Sequence, residues 1–191
     1  MAPNRIIIGI SGASGTIYGI ELLKALRTAQ VETHLVISST GQITIAAETD
    51  YSIPQVHKLA DHWYSSKDLS AAIASGSFKT MGMIVAPCSM RSLAEIATGG
   101  TTTLLTRAAD VVLKERRKLV VMPRETPLNL SHIRNMATIT EMGGIIAPPV
   151  PAFYAKPISI EELVQHTVGR VLDLFDIEHE MVKRWEGVPT D

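Results

Sequence analysis

"IIIGISGASGT", residues 6–16, decides how this chain is read. Three isoleucines run without a polar break into Gly9, Gly12 and Gly15, with Ser11, Ser14 and Thr16 between and after them. A continuous apolar run that ends in glycines is the pattern of a strand covered on both faces, as in a parallel sheet. Ile17, Ile20, Leu23 and Leu26 then recur every third residue, the period of a helix packed on that strand. The hydroxyl-rich turn between them has two readings. It is a tight strand-to-helix turn with no ligand, or a set of backbone N–H groups at a helix N-terminus that faces a phosphate or an electron-rich ring edge. Its spacing, G-x-x-G-x-x-G, is not the dinucleotide fingerprint, and no acid follows the second strand where a ribose contact would stand; Ser38 and Ser39 are there instead. The Gly-Lys-Ser/Thr end of a P-loop is also missing.

Outward from this stretch the same alternation repeats. Strand-like runs fall at 5–10, 33–38, 81–87, 118–123 and 143–149. Helix-like stretches lie at 41–48, 68–75, 90–98, 103–116 and 129–142. Strand and helix in turn predict an α/β fold, a doubly wound parallel sheet in a single domain spanning 1–191. A last helix is expected over 159–185, with Ser159 as its cap and Glu162 completing a capping box. The proline-rich segment 147–157, "APPVPAFYAKP", fits inside neither sheet nor helix and reads as an extended arm of the kind that reaches a neighbouring subunit.

Composition removes several function classes. Of 191 residues, 46% are hydrophobic and 19% charged, a globular balance. The net charge of −1 and the absence of a basic block argue against nucleic acid or an anionic membrane surface as partner. No apolar run approaches the roughly 20 residues of a membrane helix. "MAPNRIII" lacks the order of a signal peptide. Cys88 is the single cysteine, which fits a reducing cytoplasm. The six histidines show no metal-ligand spacing, so they read as structural or solvated and no metal is expected.

The polar residues gather at predicted strand ends, where open α/β sheets bind ligands. After the first-strand loop come "SST" (38–40), "PCSMRS" (87–92) and "PRET" (123–126). Any one serine there is first of all a helix cap. Four strand ends carrying hydroxyls, an arginine and a carboxylate point to one shared polar site.

"GISGASG" (9–15), "ETD" (48–50), "PCSM", "LLTRAADVVLKERRKLVVMPRETPL" (104–128) and "PPVPAFY" together resemble the flavin prenyltransferase family of UbiX-type proteins, some once called aromatic acid decarboxylases. The resemblance spans essentially the whole chain. It implies a Rossmann-like, flavodoxin-related fold, a homo-oligomer of dodecamer type and no metal. It also implies transfer of a dimethylallyl group from dimethylallyl phosphate to N5 and C6 of reduced FMN. The product, prenylated FMN, serves UbiD-type decarboxylases, as in ubiquinone biosynthesis. Carried over residue by residue, the resemblance places Ser11, Gly12, Ala13, Ser38, Ser89, Met90, Arg91, Ser92 and Arg124 against FMN. Tyr154 and Arg170, with Lys114, match the phosphate ligands of the prenyl substrate. Ser14, Glu48 and Glu125 match polar groups near the reacting atoms. Residues 99–103 read "GGTTT" where relatives often carry Asp or Asn, and Ser39 stands where many have lysine.

Allylic transfer of this kind asks for cations and hydroxyl donors at the departing phosphate, the work implied for Lys114, Tyr154 and Arg170. Closing the second bond at C6 releases a ring proton and asks for a base, for which Glu125 is the implied candidate, with the phosphate and Ser14 as a possible relay. Each residue also has a plainer reading. Glu125 pairs with Arg124, Glu48 closes a helix end, Arg107 and Asp110 form an i,i+3 pair, Tyr154 plugs the arm, Cys88 is a buried small residue, and Trp185 packs or sits at the site rim. Two other functions compete: an FMN carrier that does no chemistry, and a cysteine-type flavin-dependent decarboxylase. A carrier has no use for a second phosphate site. The decarboxylase would place a histidine near the first loop, and that loop has none.

Overall fold

A computed structural model describes residues 4–185 and 187. Residues 1–3, 186 and 188–191 of the 1–191 domain reading lie outside the described residues. Six strands among the described residues form one sheet: β1 (Arg5–Ile10), β2 (Glu32–Ile37), β3 (His62–Ser65), β4 (Gly82–Cys88), β5 (Lys118–Pro123) and β6 (Ile145–Ile146). All pair in parallel, in the order β3-β2-β1-β4-β5-β6. This is the strand order of the dinucleotide folds, and without the short edge strand β3 it becomes the flavodoxin order. The order reverses between β1 and β4, so the crevice for a ligand opens there, at the C-terminal strand ends.

Among the described residues, seven helices cover the sheet: α1 (Ile17–Thr28), α2 (Ser39–Glu48), α3 (Ile53–His57), α4 (Met90–Ala97), α5 (Leu104–Lys114), α6 (Leu130–Glu141) and α7 (Ile160–Asp173). The pleat sends alternate side chains to opposite faces. Ile6, Ile8 and Ile10 pack with Leu22 and Leu26 of α1 and Val168 and Leu172 of α7. Ile7 turns to the other face, with Met83, Val85, Leu93 and Leu105. Each such side chain stabilises the fold by roughly 1.5–3 kcal/mol relative to exposure. Gly19 brings α1 down onto the sheet: a Cβ there would stand 2.5 Å from the Ala86 carbonyl oxygen.

Four expectations are corrected. Residues 62–65 form a strand that the apolar pattern does not announce. "HWYS" is an edge strand with mostly exposed side chains, so no burial imprints an apolar run on it. The 143–149 strand shrinks to Ile145–Ile146, because Gly143 and Gly144 complete the turn out of α6 and prolines follow. The 68–75 stretch is a turn with a single 3-10 turn at Ala72–Ala74; the Asp68 carboxylate accepts from the Ser70 N–H and hydroxyl and holds the chain out of a helix. The last helix stops at Asp173, and residues 178–185 fold back along it. Its cap also differs. Ser159 Oγ accepts from Glu162 N at 3.2 Å, but Glu162 reaches back to Ile158 N rather than to Ser159. The short α3 was not foreseen either.

Candidate active site

Because every strand is parallel, the loops after β1, β2, β4 and β5 meet at one end of the sheet. Ser11 fastens two of them. Its hydroxyl donates to the Pro87 carbonyl at 3.0 Å and accepts from Ser89 N at 2.7 Å, fully buried. It therefore serves the site through the loop it fixes, not through a free hydroxyl. Gly12 lets that loop approach the next: a Cβ would lie 2.4 Å from the Thr40 side chain. Ser38 caps α2 by accepting from Gly41 N at 3.0 Å, and Ser89 caps α4 by accepting from Ser92 N at 3.3 Å. Two helix N-termini, with no acid in either first turn, thus converge on one crevice. Ser38, Ser39, Thr40, Ser89, Arg91 and Ser92 line a cavity of about 90 Å³ there. Met90 opens α4 beside it. Hydroxyls and two helix dipoles form a donor set for a phosphate, while the Arg91 guanidinium is paired at 3.1 Å with Glu95, whose carboxylate lines the same cavity.

The α1 N-terminus is not part of that set. Glu48, at the end of α2, accepts from Gly15 N at 2.9 Å and from Thr16 N and Oγ1 at 3.4 Å. Partial desolvation works against its charge, but hydrogen bonds from Ser14 and the Gly15 and Thr16 groups prevail and hold the carboxyl below its ordinary value. A carboxylate so committed is a weak base. The structure makes Glu48 an anchor of the Ser14 loop through Oε2, the helix-closing reading applied to α1. Ala13 sits in the same loop, its N–H on the Ser11 carbonyl.

Arg124 and Glu125 follow β5. Arg124 N donates to the Cys88 carbonyl at 3.2 Å, which ties this loop to the β4 loop. Glu125 is exposed; its Oε1 accepts from Thr126 N, and among the described residues it makes no ion pair with Arg124 or any other cation. Tyr18, which sequence reasoning missed, lies against Gly15. Burial raises its pKa and the nearby Arg124 charge partly offsets the rise. Thr40 and Thr103 were missed as well, although "SST" and "GGTTT" contain them. Thr103 caps α5 and borders the cavity, so a threonine does the capping that Asp or Asn would do. Burial pushes the Cys88 thiol well above its usual range, in keeping with a packed small residue.

A second cavity of about 400 Å³ lies three strands away, beside β6. The structure brings Tyr154 and Arg170 together in it, among apolar walls that include Ile146, Pro148 and Val150. The Tyr154 hydroxyl is 3.0 Å from His166 Nε2, and its ring meets Trp185 edge-on. Arg170 donates to Asp173 at 2.5 Å. Asp173 also accepts from Arg184 and approaches His179 at 3.0 Å. Arg184 above all, then Arg170 and His179, hold its carboxyl down to about 2 against the cost of partial burial.

That pKa carries a pH dependence. The folded value lies below the ordinary one of about 3.9, so the contribution is whole above pH ~4 and is lost as the pH falls through about 2. Asp173→Asn is expected to lower stability by about 1–3 kcal/mol at pH 7. The variant should then lose less than the parent between pH 4 and 2 in urea unfolding followed by circular dichroism. Parallel pH curves for the two proteins would refute this.

Lys114 does not join Tyr154 and Arg170 within one chain. It ends α5, whose first residue sits at the C-terminal end of the sheet. Eleven residues carry the helix about 15 Å to the opposite edge, where Lys114 pairs with Glu115. The histidine reading needs one addition. The pairing of β2 with β3 gathers Glu32, His34 and His62 within 4.8 Å, a cluster that sequence spacing hides. The two rings stack at 19°, and both Nε2 atoms approach Glu32 Oε1, His34 at 2.8 Å and His62 at 3.7 Å. His166 is buried and faces the Tyr154 hydroxyl in the second cavity.

The parallel sheet carries a polar cavity at its switch point and a second cavity at its β6 edge, and the protein-family model described as Flavoprotein matches residues 1–180, so the chain is an α/β flavoprotein. Within that class, the chain belongs to the UbiX-type flavin prenyltransferases. It is 56% identical, over 96% of its length and 90% of the relative's, to a probable UbiX-like flavin prenyltransferase of Bacillus subtilis. The crystal structure of AnUbiX in complex with FMN and dimethylallyl pyrophosphate superposes with a TM-score of 0.95 at 50% identity, covering 97% of this chain and 98% of the other. A dodecameric FMN-dependent UbiX-like decarboxylase of Escherichia coli O157:H7 superposes with a TM-score of 0.94 at 50% identity, covering 96% and 100%. Among the described residues, no helix is long and apolar enough to cross a membrane.

Proposed function

We propose that the chain is a flavin prenyltransferase that joins a dimethylallyl group, from dimethylallyl phosphate, to N5 and C6 of reduced FMN. The observation that carries this reading is a pair of separate cavities on one sheet, each lined by an arginine and at least one hydroxyl group. A flavin carrier needs one phosphate site; a transferase that holds FMN and a prenyl phosphate together needs two. The hydroxyl donor set at the α2 and α4 N-termini fits the phosphate of FMN. The second cavity fits an allylic phosphate, with Tyr154 and Arg170 for the charge and apolar walls for the five-carbon chain. Holding both partners in place removes an entropic barrier that reaches about 7–11 kcal/mol in favourable cases.

FMN is a substrate here. When reduced it supplies the nucleophile, and the protein supplies position, charge and a proton acceptor. Tyr154 and Arg170 stabilise charge on the departing phosphate. Ser14, held by Glu48, lies in the loop beside the reacting end. Glu125 takes the C6 proton. The product, prenylated FMN, passes to UbiD-type decarboxylases. A cytoplasmic location belongs to the same reading, and a single cysteine fits it. The test is incubation with reduced FMN and dimethylallyl phosphate, then mass analysis of the released flavin. Unmodified FMN, released from a protein that binds it, would leave the carrier reading.

Two roles follow from this assignment. Arg124→Ala is expected to weaken FMN binding about tenfold to 150-fold, the loss of a charge-assisted contact of about 1.5–3 kcal/mol. Fluorescence titration of FMN reads it, and unchanged affinity in a folded variant removes Arg124 from the flavin site. Lys114 acts on the prenyl phosphate from a neighbouring copy in the homo-oligomer, because its own cavity is out of reach. Mixed oligomers of Lys114→Ala and Arg170→Ala chains should then turn over faster at low dimethylallyl phosphate than either variant alone. If mixing restores nothing, Lys114 belongs to the α5–Glu115 surface and not to the site.

A further inference from the structure

His166 was read from the sequence as structural or solvated, yet its placement ties it to the transfer step. It lies one turn before Arg170 on α7, so both side chains share a face of the helix. It is 7% exposed, its ring meets Tyr154 edge-on at 82°, and its Nε2 stands 3.0 Å from the phenol oxygen. Tyr154 itself is 42% exposed and sits in a single 3-10 turn, Phe153–Ala155, between prolines. Such a turn is a loose mount for a group that must aim one hydrogen bond.

We propose that His166 is the positioning residue that aims the Tyr154 hydroxyl at the prenyl phosphate; this rests on the reading of Tyr154 as a phosphate ligand. A phenol has one proton to give and two lone pairs. If the imidazole accepts from it, that proton is spent inside the protein. If Nε2 carries the proton and donates, the phenol oxygen accepts, and the tyrosine proton is turned outward to a phosphate oxygen. The His166 tautomer with Nε2–H therefore sets the direction of the Tyr154 donor. The two phosphate ligands are then each held by a residue of α7, Tyr154 by His166 and Arg170 by Asp173.

The experiment measures the dissociation constant of dimethylallyl phosphate by calorimetry on FMN-loaded, oxidised protein, whose flavin lacks the electrons for transfer. His166→Phe keeps the ring edge and removes the nitrogen; it should weaken binding about tenfold. His166→Gln, whose amide N–H reaches the Nε2 position, should stay within about twofold of the parent. His166→Asn, whose amide reaches only the Nδ1 position, should behave like the phenylalanine variant and replaces it if that one fails to fold. In a Tyr154→Phe background, loss of the imidazole should cost nothing more, because the hydroxyl it aims is gone. The proposal is overturned if His166→Phe binds as the parent does, if glutamine does not rescue, or if the imidazole costs as much without the Tyr154 hydroxyl as with it. Should Tyr154→Phe alone bind as the parent does, the phosphate reading of Tyr154 falls and takes this proposal with it, an outcome visible in that single variant.

Discussion

Glu125→Gln slows formation of prenylated FMN by about 10²–10⁴-fold while FMN and dimethylallyl phosphate bind as before, the effect expected when a general base is removed. The substitution keeps shape and hydrogen bonding, and the amide oxygen can still accept from Thr126 N as the carboxylate does. What it removes is the proton acceptor. Bonding at N5 breaks the allylic C–O bond and passes the N5 proton to the departing phosphate, whereas closing the ring needs a proton delivered from that phosphate to the prenyl double bond and the C6 proton taken up by a base. Ring closure should therefore lag in the variant, and the material that accumulates should have the mass of the product but a different absorption spectrum. Mass alone is blind to the difference, so rapid-mixing absorption is the measurement. Glu125 is free for this role, being exposed and outside any ion pair among the described residues. Glu48 is not free, since Oε2 is committed to the α1 N-terminus. A Glu125→Gln enzyme that closes the ring at the parent rate would move the proton to the leaving phosphate.

Arg170→Ala raises the dimethylallyl phosphate concentration needed for half-maximal turnover by about tenfold to 150-fold and leaves FMN affinity alone, as loss of one charge-assisted contact predicts. The fold should tolerate the change. Asp173 loses one partner but keeps Arg184 and His179, so the returning segment 178–185 stays fastened and the melting temperature moves little. Arg170→Lys should recover only part of the effect, because a point charge replaces a planar fork. Steady-state kinetics with each substrate varied in turn separates the cases. Loss of FMN binding instead of a change in KM would put Arg170 in the wrong cavity.

The amino-acid sequence by itself determined the buried strands β1, β2, β4 and β5, the helices between them and the parallel sheet they imply, because burial on two faces writes continuous apolar runs into the chain. It also placed polar residues at the strand ends, and through its motifs it carried the family. Only the tertiary structure decided what those residues do to one another. Glu48 takes the N–H of Gly15, 33 residues earlier, at the start of α1, and the Ser11 hydroxyl takes the N–H of a residue 78 positions away. Neither partnership leaves a periodic trace, since each depends on which strands lie side by side. The edge strand β3 was silent for the opposite reason: its side chains are mostly exposed, so no apolar run marks it. Lys114 shares the longest motif of the chain, yet an 11-residue helix carries it to the far edge of the sheet. His166 and Asp173 are two polar residues of an amphipathic helix until α7 is laid beside the proline arm and the returning C-terminal segment. Three-dimensional proximity there turns them into the partners of Tyr154 and Arg170.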